Sequence, residues 1–126
     1  MPLKLRARHP NGTALQLTAV TFNETSISIG FKVTNGNDSE INLNVFGNQL
    51  ILKDDIGNTY KFSAPADNEY VIVKANGALR GTFIFQPEVD PQAKTLKLIT
   101  NPDTGDAGYD GAFDPKITVD DIPVGG

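Results

Sequence analysis

A chain of 126 residues with 39% hydrophobic and 21% charged residues has the length of one domain and enough apolar content to bury a core without crosslinks. It holds no cysteine, which excludes disulfides, thiolate metal sites and a cysteine nucleophile. The formal net charge of −4 repels phosphate backbones and argues against nucleic acid as a partner, and no window offers the ~18 apolar residues of a membrane helix, so direct membrane insertion is not expected.

In chain order, Leu3, Leu5 and Ala7 alternate with Lys4, Arg6 and Arg8, the pattern of a short strand with one charged face, suited to a sheet edge. His9 to Gly12 break it. A second strand is predicted from Ala14 to Phe22 with Leu15, Leu17, Ala19 and Phe22 inward, and a third from Ser26 to Thr34 with Ile27, Ile29, Phe31 and Val33 at every second position. After the polar connector Asn35 to Ser39 come strands at Glu40 to Phe46 and Gln49 to Lys53. A turn over Asp54 to Asn58 leads into Thr59 to Ser63 as a hairpin.

The dense apolar run Tyr70 to Val73 reads as a strand buried on both sides or crossing a sandwich edge. Ala78 to Gln86 places Leu79, Gly81, Phe83 and Phe85 on one face, Thr95 to Thr100 returns, and Ile117 to Ile122 is the last strand. One strand per ~8 to 12 residues and no helical window predict an all-β protein, an antiparallel sandwich of about seven to nine strands. It forms a single domain over 1–121, and 122–126 is expected to be a tail or linker.

Val33, Thr34 and Asn35 at a strand end, Leu43, then Leu50, Leu52, Asp54, Asp55, Gly57, Asn58 and Tyr60, then Gly81, Phe83, Phe85, Leu96, Leu98 and Asn101 form a pattern that resembles bacterial immunoglobulin-like domains of unknown function. Such domains occur in exported lipoproteins and envelope proteins. The resemblance covers about Ala14 to Asn101 and implies an immunoglobulin-like sandwich with an extracytoplasmic location and no family catalytic residues. This chain lacks the lipoprotein cysteine.

Among chemical candidates, Asp103, Asp106 and Asp110 interleave with Gly105, Gly108 and Gly111, a composition suited to calcium, although the spacing is not that of an EF-hand. The adjacent Asp54 and Asp55 point to opposite sides of a strand end and read as hairpin capping rather than as an acid and base pair. His9 has neither triad nor zinc partners in the sequence. Tyr70 and Tyr109 are the rings that a glycan would use, since most phenylalanines fall on core faces.

Sheet edges offer a further contact: Lys4, Arg6 and Arg8 against Asp120 and Asp121 would set the register of pairing with another copy or a neighbouring domain. The sequence therefore points to a non-enzymatic immunoglobulin-like structural or interaction module of a bacterial extracytoplasmic protein, with a protein partner or self-association. Its alternative is a calcium or glycan module centred on residues 101–114.

Overall fold

The computed structural model describes residues 2–9, 12–44, 47, 49–102 and 115–124. Among them the chain is all-β: β1 (Pro2–Arg8), β2 (Thr13–Phe22), β3 (Ile27–Asn35), β4 (Ile41–Asn42), β5 (Leu50–Asp54), β6 (Thr59–Phe62), β7 (Ile72–Val73), β8 (Ala78–Gln86), β9 (Thr95–Thr100) and β10 (Ile117–Pro123). Eight strands form one sheet in the order β1-β2-β3-β8-β6-β5-β9-β10, antiparallel at every junction, while β4 and β7 pair separately. The end strands β1 and β10 approach each other, so the sheet rolls almost into a barrel.

Two packed sheets are expected from the sequence; the ladder instead runs continuously, because the β5–β6 hairpin joins both halves. That junction is narrow. β6 meets β8 only at Lys61–Gln86 and Phe62–Phe85, followed by one bond from Ser63 N–H to the Ile84 carbonyl at 2.8 Å.

Alternation places every second residue of each long strand in one core. Phe31 and Phe83 keep only 6% and 2% of their surface exposed, and their rings stack with centroids 3.8 Å apart. Phe62 meets Phe83 edge-on at 5.6 Å, the geometry that a ring quadrupole prefers. In β2 the register slips between Leu17 and Ala19. This bulge changes the phase, so Val20 rather than Ala19 is buried beside Leu15 and Leu17.

Three predicted elements differ. Of the strand expected at Glu40 to Phe46, only Ile41–Asn42 is a strand among the described residues, and the buried Asn44 bonds back to the next strand: its Oδ1 accepts from the N–H groups of Gln49 at 2.8 Å and Leu50 at 3.0 Å. The run Tyr70 to Val73 is not buried on both sides; Val71 and Val73 are buried, Tyr70 and Ile72 are 44% and 36% exposed, and β7 begins only after Val71, whose φ is 50. Ile122 and Pro123, expected to begin a tail, pair with Leu96 and Thr95, and Ile122 belongs to the core.

Candidate functional site

β1, β2, β3 and β8 contain no aspartate or glutamate. Their outward positions carry Lys4, Arg6, Arg8, Lys32 and Arg80, of which only Lys32 is half-buried and the others are exposed. Register aligns these residues: Arg6 faces Gln16, Gln16 faces Lys32, and Lys32 faces Arg80. With strands ~4.8 Å apart, this is a transverse row across four neighbouring strands, with a cation on β1, β3 and β8 and the neutral Gln16 on β2. Two adjoining depressions share Gln16 and Lys32, one reaching Arg6 and Arg8 and the other Arg80 and Gly81.

Lys32 and Arg80 are directly opposed like charges, an arrangement that destabilises a sheet. Asn35 N–H bonds to the Gly77 carbonyl at 2.8 Å, which makes the odd-numbered residues of β8 the hydrogen-bonded partners of β3. Lys32–Arg80 is therefore a non-hydrogen-bonded pair, the kind whose side chains lie closer. No described carboxylate forms an ion pair with either.

The same motif recurs across the sheet with a different outcome. Lys53 faces Lys97, but the bulge between Val119 and Ile122 in β10 directs Asp120 onto Lys97, with an Oδ1 to Nζ distance of 3.4 Å. Of the acids read from the sequence as edge contacts, Asp120 is thus engaged within the chain, and Asp121 occupies the left-handed region at φ 61. The free edges of β1 and β10 approach each other. No ion pair forms between Lys4, Arg6 or Arg8 and these two aspartates.

Asp54 and Asp55 diverge as the sequence predicts. Asp54 Oδ1 accepts from the N–H groups of Ile56 at 3.0 Å and Asn58 at 2.8 Å, and Oδ2 accepts from Asn58 Nδ2 and from the Tyr60 hydroxyl, each at 2.8 Å. Partial desolvation pushes its carboxyl up, yet the bonds from Asn58, Tyr60 and Ile56 together hold it below the ordinary carboxylate value. Asp55 turns the other way to the Lys94 N–H at 2.9 Å. That bond leads the causes that lower its pKa.

Tyr60 joins the two loops, since its hydroxyl also accepts from Asp90 N–H at 3.0 Å. Burial raises its pKa. The group thus ties the β5–β6 turn to the connection between β8 and β9, and every carboxylate oxygen bond named serves the fold.

Asp103, Asp106, Asp110 and Tyr109 lie outside the described residues. The base of their segment is clamped: Asn101 Nδ2 donates to the carbonyls of Asn42 and Pro115, each at 2.9 Å, and Thr100 Oγ1 donates to that of Pro115 at 2.8 Å. His9 shapes the β1–β2 turn through its backbone, with N–H to the Thr13 carbonyl at 2.8 Å. Compared with protein families, curated proteins and solved structures, the chain matches none.

Sequence reasoning locates Lys4, Arg6 and Arg8 but misses Lys32 and Arg80. The signal was available in the alternation: Lys32 lies between the core residues Phe31 and Val33, and Arg80 between Leu79 and Gly81 on the face assigned inward, so each must point outward. Only the register brings them together.

Proposed function

We propose that the protein is a non-enzymatic interaction module of an extracytoplasmic assembly, built as an immunoglobulin-like domain, whose acidic protein partner docks on the outer face of β1, β2, β3 and β8. The strand order supports the immunoglobulin-like reading. β2-β3-β8-β6 and β5-β9-β10 reproduce the four-strand and three-strand sets of that fold, with β1 added at one side and the β5–β6 hairpin bridging them. The resemblance of residues 14–101 to exported immunoglobulin-like domains supports the location.

The observation that carries the function is the unrelieved Lys32–Arg80 pair in a wall without acids. Stability is sacrificed there in a chain that has carboxylates to spare, 15 against 11 cationic side chains. A partner bearing carboxylates removes the repulsion on docking and is steered by it beforehand. Exchange of edge strands between termini is less favoured, because the edges of β1 and β10 meet each other.

The test compares two charge reversals of equal size. Retention on immobilised polyglutamate at low salt is expected to fall for K32E/R80E and to persist for K53E/K61E on the other half. Equal loss for both would reduce the face to its net charge and overturn the assignment. Added salt weakens the wild-type contact.

A further inference from the structure

Midway along β8 the sheet has an open edge inside the fold. In an antiparallel ladder, backbone groups of successive residues point to opposite neighbours. The Asn35–Gly77 bond turns the odd-numbered residues of β8 toward β3, and the Ser63–Ile84 bond turns the even-numbered ones toward β6. Yet β6 pairs only with Phe85 and Gln86, and beyond Ser63 no residue continues the ladder. Arg80 and Thr82 therefore direct their N–H and C=O groups to no strand among the described residues, and both are exposed, as is Gly81 between them.

A cleft of about 170 Å³ adjoins this edge, lined by the apolar Phe31, Phe62, Phe83, Leu79 and Val71 and, from the segment after β6, by Pro65, Asp67 and Asn68. Gly81 keeps it open. A Cβ at that position would lie 3.3 Å from the Phe31 ring.

We propose that an extended segment of a partner protein completes this edge, adding as a strand antiparallel to β8 in the place that β6 vacates. Main-chain bonds to Arg80 and Thr82 supply the pairing, and the cleft supplies selectivity, as in strand addition generally. Directly opposed residues share a face, so the residue opposite Gly81 enters the cleft and is apolar. The residue opposite Arg80 points outward beside a guanidinium that forms no ion pair with a described carboxylate, so it is acidic. The occupant is thus an acidic and apolar alternating strand.

This inference goes beyond docking on the cationic face, because it stands on backbone direction and a cleft rather than on charge.

The experiment follows the backbone amides of the labelled protein by NMR. In the free protein, Arg80 and Thr82 are expected to exchange rapidly while Gly81 and Phe83 are protected. The probes are blocked peptides of about seven residues, threonine-rich, with a central leucine or phenylalanine next to a glutamate. At millimolar peptide the Arg80 and Thr82 amides are expected to shift and gain protection.

Methylating the peptide amides that face β8 abolishes this effect, whereas methylating the alternate amides leaves it. Gly81→Val weakens binding by roughly tenfold or more. Thr82→Pro, which removes an N–H bonded to no strand and so leaves the ladder intact, removes binding in a folded protein. Protection of Arg80 and Thr82 in the free protein, no shift with any peptide, or indifference to the site of methylation would each overturn the proposal. Shifts confined to Arg6, Gln16 and Lys32 would overturn it too, while leaving the cationic face standing.

Discussion

Two like-charged cross-strand pairs occupy the outer surface of this sheet, and the protein treats them differently. Lys53–Lys97 lies beside a bulge that delivers Asp120 to it. Lys32–Arg80 lies in a wall with no acid on any of its four strands. Repulsion of the first kind is settled inside the chain, and repulsion of the second meets no ion-paired carboxylate among the described residues. The halves also differ in their finish: Asp54, Asp55, Tyr60 and Asp90 lock the turns around β5, β6 and β9, whereas β8 at Arg80 to Thr82 pairs with β3 but with no strand on its other side.

The core is common ground, and a first prediction uses it as a control. Phe83→Ala removes a ring shared with Phe31, Phe62 and Phe85 and is expected to cost about 3 to 5 kcal/mol, read as a lower denaturant midpoint. Leu98→Ala in the other half is expected to cost about 2 to 5 kcal/mol. A large asymmetry between them would move the contrast from surface to core.

Tyr60→Phe sharpens the contrast at the locked end. It removes the donor to Asp54 and leaves the Asp90 N–H without its acceptor, so about 1 to 2 kcal/mol of stability is expected to go, measured by urea unfolding. The cationic face is distant from this bond. Binding to polyglutamate is expected to be unchanged.

A pH titration of stability probes the same end. Asp54 and Asp55 have lowered pKa values in the folded state, so the unfolded chain binds more protons in the acid range and stability falls as pH falls. Their contribution is fully present above the ordinary value of 3.8 and is lost as pH drops through the folded values. The urea midpoint of the wild type is expected to decline on acidification below that point, and D54N/D55N to decline less. Parallel curves would show that these carboxylates do not hold the turns.

The long strands β3 and β8 were legible because a period of two survives in each, and Phe31 and Phe83 fall on the face that alternation assigns to them. β4 and β7 were not, because a buried asparagine cannot be distinguished from a loop asparagine by type: Asn35 and Asn44 are buried, bonding the carbonyls of Ser39 and Glu69 respectively. The bulge in β2 was equally hidden, since an inserted residue changes the phase without any change in composition. Lys4, Arg6 and Arg8 were readable as one charged face within a single strand. Lys32 and Arg80 join them only through pairing between segments distant in sequence, which no local pattern records.

The smallest effect is the most direct test of the account. Double-mutant cycles to alanine at Lys32 with Arg80, and at Lys53 with Lys97, report the coupling within each pair. Opposed charges in a sheet are worth roughly 0.2 to 1 kcal/mol. The account predicts a repulsive coupling of that order for Lys32–Arg80 at low salt, and a markedly weaker one for Lys53–Lys97 while Asp120 is present. An attractive or absent coupling at Lys32–Arg80 would contradict it.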